Sequence, residues 1–412
     1  MTAGLLLREV TLADGARADV LVRGGVIESV GTPGTTQNSE VDTLALSGYL
    51  LVPAPAEPHA HLDKAYSADR VSDPAGDLGA AVAAWLRLRP SLDEADIRAR
   101  AAGAVRAYVR NGATAIRTHV DVADDIGLRA LSAVLAVRDS VASECDLRVV
   151  AFVNSPVSGR AGDRHRGLMA DALAAGADAV GACPAVDPDP AGCIDACLRA
   201  ADQAGVPVDL HVDEGLEPEP FTLDLLIDAV TATGFARGVV ASHCVSLGAM
   251  AAEIARGVAD RVAAAGIAVV CLPQTNLYLQ GRSQAVAPPR GLTALAALRA
   301  AGVTVAAGGD NLQDPFNCLG RADPLETAGL LVLAGHDSPE AAYESVSTAA
   351  RRAMGLSEVN IKPGGAAELL AIRAGSVRGA VAEADPNRVV IHAGRVVART
   401  DMTTTYPTWR SA

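Results

Sequence analysis

The sequence predicts an α/β protein, a (β/α)8 TIM barrel flanked by a small β-sandwich built from both chain ends. Eight short apolar runs rich in valine, alanine and isoleucine recur between segments of helical pattern, as parallel strands buried on both faces do. The two ends of the chain instead alternate apolar and polar residues around glycine turns, which reads as antiparallel strands. A length of 412 residues is ordinary for a barrel with an added domain.

The first alternating segment is "LLLREVTLADGARADVLVRGGVIESVG", and residues 1–51 are assigned to the sandwich. The barrel is expected over 52–359. Its first strand is read from "LLVPAPAEPHAHLD", ending at His61. The following strands are "TAIRTHVDV" (114–122), "LRVVAFVNS" (147–155), "AVGACPA" (179–185) and "PVDLHVDE" (207–214). "GVVASHCV" (238–245), "IAVVCLPQTN" (267–276) and "TVAAGGDN" (304–311) complete the set. The helix before the second strand has a capping-box pattern, Ser91 with Glu94, and Gly112 as its terminating glycine. Residues 360–412 return to alternation and complete the sandwich.

Half the residues are hydrophobic and only 3% aromatic, so the core is aliphatic. A net charge of -13 argues against nucleic acid or an anionic membrane surface as partner, and leaves a small molecule open. The N-terminus lacks the pattern of a signal peptide, and no apolar run approaches a membrane span. The 7 cysteines are scattered without a CxxC pair, which points to a reducing cytoplasm. Cys193 and Cys197, four apart, read as a core pair.

Active sites of barrels lie at the C-terminal ends of the strands. Five of the 8 histidines fall there. His59 and His61, two apart, aim at one point if the strand is regular. His119 and Asp121 end the second strand, Asn154 the third, His211, Asp213 and Glu214 the fifth. His243 ends the sixth, and Asp310 and Asn311 the eighth. Three imidazoles and a carboxylate (His59, His61, His211 and Asp310) suit one Zn or Fe ion with an open position, which would lower the pKa of a water. Lys64 and Lys362 are the only lysines, and neither lies near the fourth strand, where a carboxylated lysine bridges the two metals of binuclear hydrolases. Cys183 on that strand is a weak substitute, so one metal is expected. Glu214 is placed to move a proton from water to a ring nitrogen, with His243 orienting the water or stabilising charge. Lys64 either reaches the pocket or pairs with Asp63. Gln280 and Arg282, after the seventh strand, could line the mouth. Asp314 reads as a turn residue, and His165, His336 and His392 are assigned no chemistry.

In order, "PHAHLDK", "RTHVDV", "DLHVDE", "ASHCVS", "NLYLQGR" and "GGDNLQDP" resemble the amidohydrolase superfamily, specifically its bacterial cytosine deaminase branch. The resemblance covers nearly the whole chain. It implies that His59, His61, His211 and Asp310 hold one Fe²⁺ or Zn²⁺, that Glu214 shuttles the proton and that His243 assists. It also implies a reaction, hydrolytic deamination of an amino-substituted heterocycle such as a cytosine-like pyrimidine. Asn154 stands where cytosine deaminases carry a ring-reading glutamine, and Asn311 where they carry an aspartate, so both are expected to contact substrate. "DN" with "HLDK" is more similar to the N-isopropylammelide isopropylaminohydrolases, which lack a match to Glu214. Hydrolysis of a cyclic amide or of an N-alkylamino group therefore stays open, as does a non-catalytic scaffold. Barrels of this superfamily often associate, so a homo-oligomer is possible.

Overall fold

The computed structural model describes residues 4–35, 41–71 and 76–406; the remaining stretches of the expected sandwich ends lie outside them. Eight parallel strands, in chain order around one sheet, form the barrel. They are β6 (Ala56–Ala60), β7 (Ala115–Val122), β8 (Asp146–Val153), β9 (Ala179–Ala182), β10 (Val208–Val212), β11 (Val239–His243), β12 (Ala268–Cys271) and β13 (Val305–Ala307). Helices follow each strand, among them Glu94–Arg110, Arg129–Val141, Asp163–Ala174, Pro190–Ala204, Thr222–Thr233, Ala252–Ala264 and Pro324–Gly335. The ring closes where Asp310 N donates to the His59 carbonyl (3.0 Å) and His61 N to the Asp310 carbonyl (3.2 Å). The closing seam therefore carries three of the expected ligands.

Barrel filling follows from side-chain alternation. The inward file of β7 runs Ala115, Arg117, His119, Asp121, from the base of the barrel to its mouth. At the base, Ala56, Ala115, Val240, Val270 and Ala306 pack with Ala350, Ala353 and Met354. Small aliphatic residues there leave room for a polar layer above, where Arg117 pairs with Asp209 at 3.0 Å.

The end segments form a second sheet from β1 (Gly4–Thr11), β2 (Arg17–Arg23), β3 (Val26–Gly31), β4 (Asp42–Ala45), β5 (Tyr49–Pro53), β14 (Leu369–Arg373), β15 (Arg388–His392) and β16 (Arg395–Thr400). It is mixed, not purely antiparallel: β4 and β5 both pair parallel to β1. Leu51, Leu369, Ala371, Val389 and Ile391 bury on one side, against Leu5, Leu7, Val20 and Val22. Their neighbours Leu50, Val52, Leu370, Ile372 and Val390 join the barrel's helical core. Period-two alternation thus seals both faces of this stretch.

Two expectations are corrected. The run expected as the first barrel strand is two strands, β5 in the end sheet and β6 in the barrel. Pro53 and Pro55 lack the N–H that a continuous ladder needs. The helix start is Asp93, whose carboxylate accepts from Asp96 N at 2.8 Å, and Ser91 instead donates to the Leu88 carbonyl. A carboxylate is the stronger partner for the free N–H groups of a first turn. Gly112 does follow the helix, with φ +113°.

Candidate active site

The strands bring His59, His61, His211 and Asp310 together. His61 Nε2 lies 3.2 Å from His211 Nε2 and 3.4 Å from Asp310 Oδ1; His59 Nε2 lies 3.6 Å from the same oxygen. The sequence reading missed His119 as part of this cluster, although it stood among the strand-end residues. Its ring stacks on His59 at 3.9 Å between centroids. Two overlapping triads, His59–His61–Asp310 and His59–His119–His211, have ligand atoms within 4.8 Å of one another. Asp310 (φ +62°) and His243 (φ +72°) both adopt the left-handed backbone, a strain that recurs at functional sites.

The donor set fits a cation. His59 Nε2 and both Asp310 carboxylate oxygens are buried without a protein partner. Burial first, and then neighbouring imidazoles, hold His59, His61 and His211 well below the usual histidine range, with Lys64 adding to the shift of His61 and His211. Burial, then Glu214 and Asp314, push Asp310 well above the carboxylate range. Neutral imidazole lone pairs facing a carboxylate that resists ionisation is the arrangement a divalent ion resolves. His61 Nδ1 lies 3.0 Å from both the His119 carbonyl, which can only accept, and Lys64 Nζ, which can only donate.

Around this centre the other expected residues are distributed as follows. Glu214 follows β10, and burial raises its carboxyl to about 7, with Lys64 pulling the other way. Its main chain is held from both sides. Asp213 accepts from Thr222 N, Thr222 Oγ1 and Leu223 N, and Gln280 Nε2 donates to the Glu214 carbonyl at 2.7 Å. His243 Nδ1 accepts from Asn276 Nδ2 (3.2 Å) as that amide is oriented, so its proton sits on Nε2, which has no protein partner. Burial lowers His243 to about 3, so it stays neutral. Asn154 leaves its Oδ1 unpartnered just past β8. Phe152, two residues before it, sets its ring 4.4 Å from that of His211.

Lys64 is buried and pairs with Asp121 at 2.8 Å, more closely than with Asp63 at 3.8 Å. Asp121 also accepts from Trp85 Nε1 and Arg89. The Asn311 amide donates to Asp314 at 2.8 Å, and burial raises Asp314 to about 6. Asp314 does form a turn, accepting from Phe316 N and Asn317 N. Arg282 is exposed and folds over the Tyr278 ring. His165, His336 and His392 are engaged elsewhere, with the Pro156 carbonyl, Arg290 and Glu368.

Glu57 was also missed. It is buried beneath the seam, accepts from His59 N and Gly309 N, and burial raises it to about 8. A Cβ at residue 308 would sit 2.2 Å from Glu57 Oε1, so any larger residue there would displace the Glu57 carboxyl.

The profile of the amidohydrolase family matches residues 78–398. The chain belongs to the amidohydrolase family. This amidohydrolase is 31% identical to the pterin deaminase of Rhizobium rhizogenes (strain K84), over 93% of its own length and 88% of the relative's. Among solved structures it is similar to 5-methylcytosine deaminase from Klebsiella pneumoniae liganded with phosphonocytosine (TM-score 0.87, 27% identity, 98% and 100% of the two chains). It is also similar to N-isopropylammelide isopropylaminohydrolase from Burkholderia multivorans (TM-score 0.84, 30% identity, 96% and 98%). The enzyme acts on C–N bonds, as its family does. Among its described residues no helix is long and apolar enough to cross a membrane.

Proposed function

We propose that this amidohydrolase is a mononuclear, metal-dependent deaminase that releases ammonia from a small amino-substituted N-heterocycle. The substrate class is a pyrimidine, or a ring system containing one, with its amino group on a carbon beside a ring nitrogen. The observation that carries the reading is the pairing of a convergent ligand set with a carboxyl poised at about 7 and a neutral imidazole. Similarity to a pterin deaminase and a 5-methylcytosine deaminase supports the ring class.

His59, His61, His211 and Asp310 would hold one divalent ion, Zn or Fe. When bound, the ion supplies Lewis acidity that makes hydroxide available near neutrality. A single ion is favoured because no lysine stands on β9 and burial pushes the Cys183 thiol up to about 12, far from a ready thiolate.

Ionised Glu214 accepts a proton from the attacking water and delivers it to the ring nitrogen, so that the ring C=N becomes C–N–H as the C–O bond forms. His243, with Nε2–H directed into the site, stabilises charge on the entering oxygen. The remaining proton of that oxygen passes to the departing amino group, with Asp310 as its carrier. The C–N bond breaks, and a ring carbonyl and ammonia result. Asn154 offers an acceptor to the ring edge.

The test is ammonia release by zinc- or iron-reconstituted protein across cytosine, 5-methylcytosine, isocytosine, pterin, creatinine and aminotriazines. Turnover of a pyrimidine-containing ring is expected. Absence of ammonia with metal bound, and alkylamine from an N-alkylaminotriazine, would select the second reading, which the similarity to N-isopropylammelide isopropylaminohydrolase favours.

A further inference from the structure

Beneath the ligands lies a polar layer that the proposed reaction does not use. Asp209, Ser242, Arg117 and His119 are all buried inside the barrel. Ser242 Oγ stands 2.9 Å from His59 Nδ1 and 2.8 Å from Asp209 Oδ1. Asp209 Oδ2 receives Arg117 at 3.0 Å, and its Oδ1 lies 3.3 Å from His119 Nε2.

We propose that Asp209 and Ser242 are positioning residues that fix the tautomer of His59 and thereby build the metal centre. The direction of the chain follows from donor chemistry. An ionised carboxylate paired with arginine can only accept, so the single hydroxyl proton of Ser242 goes to Asp209. The serine oxygen must then accept from His59, which places the imidazole proton on Nδ1. His59 Nε2 is left as a bare lone pair facing Asp310 Oδ1 at 3.6 Å. An imidazole lone pair beside a carboxyl that burial keeps from ionising is the donor pair a divalent cation would take up. Carboxylate–histidine–metal arrays work in this way, and the serine extends the array by one hydroxyl.

His59 is singled out by this chain. The Nδ1 of His61 has both an acceptor and a donor within 3.0 Å, and His211 Nδ1 has no protein partner. Asp209 reaches His59 through Ser242, and it also lies 3.3 Å from His119 Nε2. Its carboxylate also spans three strands, receiving Arg117 and His119 from β7 and Ser242 from β11 while sitting on β10. Close packing between β8 and β9 completes the layer: a Cβ on Gly181 would meet Val150 Cγ1 at 2.7 Å and the Asp209 carbonyl at 3.0 Å.

This inference rests on the metal-site reading, and the test separates the two. Chelator-stripped wild-type and Ser242→Ala proteins are titrated with Zn²⁺ against a chelating indicator, and the melting of both metal-free proteins is recorded. The expected result is a zinc dissociation constant raised about 10–100-fold in Ser242→Ala, with metal-free melting little changed and Ser242→Thr recovering affinity. Equal zinc affinity in wild type and Ser242→Ala would overturn the relay while keeping the metal site. Failure of wild type to bind zinc would overturn both. If Ser242→Ala does not fold, ¹⁵N spectra of the metal-free wild type decide: His59 protonated on Nδ1 supports the relay, and on Nε2 refutes it.

Discussion

Replacing Glu214 with glutamine separates the two things its carboxyl does. Burial raises that carboxyl from 4.5 to about 7, which corresponds to about 3 kcal/mol against the ionised form. This is an upper figure, because the residue keeps partial contact with solvent. Between those values the native state holds a proton that the unfolded chain releases, so metal-free stability falls as pH rises from about 4.5 through 7. Glu214→Gln removes the ionisation and should be more stable than wild type at pH 8, with the difference vanishing by pH 4. Denaturant unfolding of the metal-free proteins at both values measures this. The same variant should retain its metal and lose about 10²–10⁴-fold in turnover, the contribution of a positioned general base. In the loaded enzyme a nearby cation lowers the carboxyl, so the acid limb of kcat/KM lies at or below about 7. Activity of Glu214→Gln within tenfold of wild type would refute the proton shuttle. Equal stability at pH 8 and pH 4 would refute the buried, uncompensated carboxyl.

Gln280→Ala frees the Glu214 carbonyl; kcat should fall roughly tenfold through a displaced base, with KM little changed. A raised KM at constant kcat would instead mark Gln280 as a ring contact. Lys64→Met removes one of the three donors to buried Asp121, leaving Arg89 and Trp85, and should lower stability by about 1–3 kcal/mol; an unchanged denaturation midpoint would show that Arg89 and Trp85 suffice. Asn311→Asp removes the donor to Asp314, whose carboxyl stands at about 6. Its stability should fall by about 1–3 kcal/mol, more at pH 8 than at pH 5, since both carboxylates ionise on the way up. The substrate ranking of that variant, measured by ammonia release, should move toward cytosine if Asn311 reads the ring; an unmoved ranking would show that its amide serves Asp314 alone.

The barrel was legible because buried parallel strands must be apolar throughout, and eight such runs leave few architectures. The convergence of the proposed ligands was legible because a strand end fixes both the position and the facing of a side chain. His59 and His61 needed only a spacing of two, and His211 and Asp310 needed only to end their strands. What remained hidden depends on partners far apart in the chain. Gln280 and Glu214 are 66 positions apart, and nothing near "LYLQGR" says that its amide ends on a main-chain carbonyl. Asp93 outcompeted Ser91 as a cap by two residues of register, a difference that propensity does not resolve.

The layer beneath the ligands was hidden for a deeper reason. Asp209 and Ser242 sit on short, otherwise apolar strands beside the histidines that end them, and a buried polar residue next to a histidine has no local signature of its own. Each matters only because the inward files of β10 and β11 fall into register, with Asp209 beside Val240 and His211 beside Ser242. That register places the carboxylate, the hydroxyl and the imidazole in one directed chain across 183 residues of sequence. The proposed ligands could be read strand by strand, because each brings its own atom to the cluster. The groups proposed to orient them could not, because their contacts exist only between strands. A polar residue on the inward file of a barrel strand, one step below a proposed ligand, is therefore to be read from its neighbour's register and not from its own strand.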